Sequence, residues 1–151
     1  MDLLLREVPY DDPAVTLLIE AVQEEYVVRY GSRDAGPVEP GEFAPPHGAF
    51  LVAEVDGVPV GCAGLRRLDG DTVEVKRMFI RTPFRRKGYA RQLLTALEER
   101  ARLGGFRRAI LETGLPQPEA LALYPSAGYE PVAPFGHYRD DPMSRCFGKD
   151  L

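Results

Sequence analysis

Three apolar runs in close succession limit most strongly what this chain can become. Ala49–Val55 and Val58–Leu65 are rich in β-branched residues and are joined through Asp56-Gly57. That dipeptide favours a two-residue hairpin, because both central positions need a left-handed backbone that Asp and Gly tolerate. Asp69-Gly70-Asp71 then turns the chain into Thr72–Ile80, so the three runs predict an antiparallel meander. Within the third run Val73 and Val75 share one face, but Lys76 and Arg77 are both charged and Met78, Phe79 and Ile80 are all apolar. Alternation fails there, and one extra residue near Lys76–Phe79, a β-bulge, restores it; bulges recur beside active sites.

The flanking segments read as helices and further strands. Residues 2–8 predict a first strand stopped by Pro9, and Asp12-Pro13 supplies an N-cap followed by proline in the first helical turn. Val15, Leu18, Ile19, Val22 and Tyr26 recur at helical spacing up to a stop at Gly31. From Ser32 to Gly48 periodicity vanishes and seven of 17 residues are Gly or Pro, which predicts a long irregular loop of a kind that is usually either mobile or functional. After Thr82-Pro83, the stripe Tyr89, Ala90, Leu93, Leu94, Leu97 and Ala101 predicts an amphipathic helix ended by Gly104-Gly105. Arg107–Thr113 is the next strand, so residues 72–113 form a strand–helix–strand unit with parallel strands and a right-handed crossover. A helix over Gln117–Ala127 and strands over Tyr129–Ala133 and Ser144–Gly148 follow. The 151 residues are expected to form one domain of the α/β class, α+β in type, with a mixed, mostly antiparallel sheet flanked by helices.

Composition removes several function classes. Nineteen Lys+Arg against 23 Asp+Glu leave a net charge of −4, so the molecule as a whole repels phosphate backbones and anionic lipid. Cys62 and Cys146 are far apart and form no Cys-x-x-Cys motif, and the opening residues do not read as a secretory signal, which points to the reduced cytoplasm. His47 and His137 have no metal-ligand spacing, and no apolar run approaches the ~18 residues of a membrane helix. Neither a metal site nor a membrane partner is expected.

Against that acidic background, Lys76 through Arg91 holds seven basic residues and no acidic one. Its centre, Arg85-x-x-Gly88-x-Ala90, sits at a strand-to-helix junction, where unpaired N–H groups and the positive end of the helix dipole converge on an anion. Gly88 lets a ligand approach the main chain, and Ala90 keeps the first turn small. The loop matches neither the dinucleotide glycine pattern nor the P-loop. By position alone, a solvated basic helix start explains it equally well.

In context this loop resembles the acetyl-CoA diphosphate-binding motif of the GNAT superfamily of N-acetyltransferases. The helix that follows, with Ala120 four positions before Tyr124 and then Gly128 and Tyr129, resembles that family's second signature. The resemblance covers about residues 49–148 and implies a role for each matching position. Arg85, Arg86, Lys87, Gly88, Tyr89 and Ala90 would hold the CoA diphosphate. Met78, Phe79 and Ile80 would bind the pantetheine arm as an added strand, in a slot between splayed strands. Tyr124 would stand near the CoA sulfur. Gln117 occupies a pantetheine-contacting position where family members often carry Asn.

The implied reaction moves acetyl from acetyl-CoA, a co-substrate, directly to a primary amine of a small molecule or peptide. Such a reaction needs a neutral amine, a held oxyanion and a proton for the thiolate. Glu74, just before the suspected bulge, is the candidate base, and an exposed carboxylate balancing Lys76 or Arg77 is the plainer alternative. Tyr124 is the candidate acid, with a packing tyrosine as its alternative. Asp34, Glu39 and Glu42 in the Ser32–Gly48 loop would favour a cationic acceptor if they face it. A non-catalytic acyl-CoA sensor and a nucleic-acid binder are the competing classes; overall charge disfavours the second. No nucleic-acid partner is expected, and a homodimer is compatible with the sequence.

Overall fold

A computed structural model describes residues 2–151. The first strand, β1 (Leu3–Glu7), leads into helix α1 (Pro13–Tyr30). There the Asp12 side chain caps the Ala14 N–H at 2.9 Å, and Gly31, in the left-handed region at φ 83°, ends the helix. The meander follows as β2 (Ala49–Val55), β3 (Val58–Asp69) and β4 (Thr72–Ile80). Asp56 and Gly57 both take positive φ at the first hairpin. Helix α2 (Tyr89–Leu103), β5 (Arg108–Gly114), α3 (Pro118–Ser126), β6 (Glu130–Pro131) and β7 (Ser144–Asp150) complete the order. The expected strand over Tyr129–Ala133 shrinks to two residues at the sheet edge, where Pro131 lacks a ladder donor. Within the expected irregular loop, Pro40–Phe43 forms one 3₁₀ turn.

One seven-stranded sheet has the order β1-β2-β3-β4-β5-β7-β6, and only β4 and β5 pair in parallel. Alternation in β2 feeds two cores. Leu51, Ala53 and Val55 face the α2 side with Leu93, Leu94, Leu97 and Ala101, while Phe50 and Val52 face α1 with Val15, Leu18 and Val22. Every one of these side chains is buried, so each Val, Leu and Phe among them contributes on the order of 1.5–3 kcal/mol relative to exposure. Among the described residues no helix is long and apolar enough to cross a membrane.

The break in alternation is a bulge. Cys62 pairs with Phe79 and Gly64 with Lys76, leaving Arg77 and Met78 opposite Ala63 alone, with Arg77 at φ 59°. The extra residue reverses the strand's facing: Val73 and Val75 lie in the α2-side core, but Phe79 enters the α1-side core.

Candidate active site

The parallel ladder between β4 and β5 runs from Thr72–Arg108 to Val75–Leu111 and then stops, although β4 continues to Ile80 and β5 to Gly114. Each strand follows its other neighbour. The bulge turns β4 toward β3, while Thr113 and Gly114 stay paired with Arg145 and Ser144 of β7. Between them opens a cavity of about 940 Å³, and the Lys76–Ile80 edge facing it lacks a strand partner. Gly114 is required on the far wall, because a Cβ there would collide with the Tyr30 ring, whose hydroxyl accepts from Gln117 Nε2 at 2.8 Å.

At one end of the slot, Arg86 and Gly88 take positive φ (64° and 81°), and Gly88 is the N-cap of α2 with no side-chain cap. The first-turn N–H groups therefore have no acceptor and converge toward solvent. A Cβ on Gly88 would meet nothing within 4 Å, so the space beside it is open to a ligand. Arg86 and Lys87 are exposed, and Ala90 lines the slot. Tyr89 is buried in the α2-side core, so its part in anion binding falls to its main chain. Arg85 is diverted as well: its guanidinium donates to Ile80 O and Glu25 Oε1, both at 2.7 Å, and lies 5.6 Å over the Phe79 ring. Its side chain clamps β4 to α1, leaving only its main chain to face a diphosphate.

Tyr124, Met78, Phe79, Ile80 and Gln117 all line the cavity. Tyr124 is buried, with its ring 5.8 Å from Tyr129 and 6.3 Å from Phe147. Burial, with no hydrogen-bond partner to offset it, pushes its phenol well above the ordinary tyrosine range, so it stays a neutral donor at any working pH. Pro125 follows inside the helix, and the Tyr124 carbonyl accepts from Ala127 N and Tyr129 N instead of a regular helical donor.

Asp34 and Glu42 of the Ser32–Gly48 loop are engaged within the protein. Asp34 is a hub, accepting from Gly36 N and Tyr138 Oη at 2.8 Å on one oxygen and from Arg77 at 2.7 Å on the other. Burial alone would raise its carboxyl, but these bonds and the cations outweigh it and hold it below the usual range. The side chain of Glu42 bonds the Glu39 N–H and Arg66. Glu74, expected as base, is not among the residues that line the cavity. It is buried, 3.0 Å from Arg66 and 4.0 Å from Lys76. Cys62 is buried with its thiol pushed up to about 12 by burial, and it hydrogen-bonds Arg77 O at 3.3 Å, which is an inert arrangement.

Sequence reasoning missed Glu112. It lines the cavity one residue beyond the last β4–β5 rung and is half-buried. Burial pushes its carboxyl up, opposed by Lys76 and the Ser144 hydroxyl and reinforced by Glu74 and Asp34. The available signal was one acidic residue directly after the apolar run Ala109-Ile110-Leu111.

Residues 15–129 match the Acetyltransferase (GNAT) family. The chain is 36% identical over 149 residues to an IAA acetyltransferase of Azospirillum brasilense, covering 98% of this chain and 97% of that protein. A crystal structure of a putative acyl-CoA N-acyltransferase from Klebsiella pneumoniae superposes with a TM-score of 0.83 at 27% identity, over 99% of this chain and 97% of the other. The PaiA N-acetyltransferase of Thermoplasma acidophilum, solved in complex with coenzyme A, has the same fold, with a TM-score of 0.77 at 16% identity and full coverage of both chains at 100%. With a slot between splayed parallel strands and an uncapped, cation-flanked helix start at its end, the chain belongs to the GNAT family of acetyl-CoA-dependent N-acetyltransferases.

Proposed function

We propose that the chain transfers acetyl from acetyl-CoA directly to a primary amine bound on the α1 side of the slot, beside Tyr30 and Tyr138. The observation that carries this reading is the end of the β4–β5 ladder at Val75–Leu111 while both strands continue. An extended pantetheine arm restores the missing strand by bonding the Met78–Ile80 edge, with Gln117 across the slot. The diphosphate lies on the N–H groups of the Arg85–Ala90 loop, flanked by Arg86 and Lys87. The thioester then sits at the apex, near the Tyr124 hydroxyl.

The amine attacks the thioester carbon, and Tyr124 donates to the departing sulfur. A thiol ionises near ~8.5 and a phenol near ~10, so with Tyr124 raised further the hydroxyl stabilises the thiolate mainly as a hydrogen-bond donor. In this reading Glu74 touches no substrate and acts only through Lys76, its neighbour at 4.0 Å. Two buried, unpaired cysteines fit work in the reducing cytoplasm.

Calorimetry with acetyl-CoA, single-stranded RNA and duplex DNA, followed by thiol release across a panel of amines, tests the reading. Acetyl-CoA binding with amine-dependent thiol release is expected. Binding without release for any amine would favour a sensor, and binding of nucleic acid alone would overturn the slot assignment.

A further inference from the structure

The slot apex also says what kind of amine enters, an inference that rests on the transferase reading above. Most charges on the cavity wall are already spent on one another. Glu25 is held by Arg85 at 2.7 Å, Glu119 by Arg29 at 2.6 Å and Asp34 by Arg77 at 2.7 Å. Arg33 is held outside by Glu20 at 2.8 Å. Asp141 is exposed and accepts Met143 N at 2.8 Å.

Two groups on the acceptor side remain. Among the described residues, Glu112 has only the Ser144 hydroxyl, at 3.3 Å. The Lys76 ammonium, on a side chain only 13% exposed, makes no hydrogen bond to any described residue and has a single carboxylate at 4.0 Å. Charges so weakly partnered and so little exposed are costly unless a ligand or water completes them.

Their placement follows from register. Val75 and Leu111 form the last rung and both face the α2-side core. The next residues, Lys76 and Glu112, therefore project to the opposite face, side by side across the mouth of the slot. Both line the cavity, yet they form no ion pair within 4.0 Å. A cation and an anion facing one cavity without neutralising each other match a ligand that carries both charges with the opposite arrangement.

We propose that the acceptor is a small amino acid whose amine is received by Glu112 and whose carboxylate is held by Lys76. A di- or polyamine meets the Lys76 charge and is a poor fit. An α-amine near ~8 is roughly a tenth neutral at pH 7, so a modest base suffices. The nitrogen lone pair attacks the thioester carbon, the C–N bond forms and the C–S bond breaks. The amine proton passes to the Glu112 carboxylate, and CoA leaves as a thiolate that receives its hydrogen bond from Tyr124.

Thiol release at saturating acetyl-CoA tests this with matched acceptors: free amino acids, their amides and the corresponding decarboxylated amines. The free acids should exceed the other two by about 100-fold in kcat/KM, because a receptor left unpaired discriminates strongly. Lys76→Met should erase that preference, lowering kcat/KM of the free acids about 100-fold and that of the amides far less, with the acetyl-CoA Kd unchanged, and Lys76→Arg should restore part of it. Glu112→Gln should lower kcat about 100-fold or more on every acceptor with a native circular dichroism spectrum. Equal use of acids and amides would overturn the proposal while leaving the transferase standing. An equal loss on both in Lys76→Met would also overturn it, placing Lys76 at the oxyanion instead. Wild-type kcat in Glu112→Gln would remove the base. Thiol release from no acceptor, with acetyl-CoA bound, would overturn the transferase reading and this one with it.

Discussion

Tyr124 and Gly88 are the single residues on which catalysis and binding separate most cleanly. The Tyr124 ring packs on Tyr129 and Phe147 while its hydroxyl bonds none of the described residues. Tyr124→Phe therefore keeps the packing and opens no cavity. We expect kcat to fall about 100-fold, the lower end for acid catalysis because a thiolate is a good leaving group. The acetyl-CoA Kd and the urea midpoint should stay within error, and single-turnover kinetics, which exclude product release, are the measurement. Gly88 does the reverse. At φ 81° it needs glycine, and a side chain there would fill the open space beside the N–H groups of α2. Gly88→Val should weaken CoA binding at least about tenfold by calorimetry; unchanged affinity in a folded variant would remove the diphosphate from this loop.

At the scale of elements, the bulge in β4 is held in place from the loop that follows α1. Arg77 stands at the bulge with its side chain 6% exposed, and Asp34 is its counter-ion; its Nε bonds none of the described residues. The buried Gln23 fixes Asp34 in turn, accepting its N–H at 2.7 Å. Asp34→Ala would leave the Arg77 charge buried and alone, a change that typically costs about 3 kcal/mol or more. Urea unfolding should show that loss, and turnover should drop further than stability explains, because the bulge sets the slot. A loss below about 1 kcal/mol would mean that Arg77 finds water instead.

For the whole molecule, the pH dependence of stability carries two opposite signs. Asp34 is held below its ordinary range, so its contribution is complete above its unfolded value near ~4 and is lost as pH falls through the lower folded value. Asp34→Asn should flatten that acid limb in urea titrations from pH ~3 to ~7. Glu112 is raised, so the folded state must ionise a half-buried carboxyl, and stability declines as pH rises from the unfolded value near ~4.3 through the folded one. Glu112→Gln removes that decline and should raise the urea midpoint at neutral pH while abolishing turnover, the usual opposition between stability and function at an active site. A lower midpoint would show that the carboxylate is a structural support.

Much of this was legible locally. The hairpin at Asp56-Gly57, the N-cap at Asp12, the bulge near Lys76–Phe79 and the glycine at the start of α2 are short-range consequences of backbone conformation, and a linear sequence carries them directly. The β4–β5 splay was readable only through the family resemblance, since it depends on which outer neighbour each strand follows. Apart from Glu74 beside Lys76, charge pairing was not legible. Lys76, Arg77 and Arg85 read as one basic island, but the bulge and the loop after α1 send Arg77 to Asp34, Arg85 to Glu25 and Lys76 to the cavity wall. Proximity to the bulge favoured Glu74 as the base, and Glu112 was passed over. Register decides between them: Glu74 pairs with Ile110 inside the ladder, whereas Glu112 comes one residue after its last rung. Local conformation is encoded in neighbouring residues, but which charge remains unpaired depends on contacts made across the whole chain, and only the folded arrangement settles it.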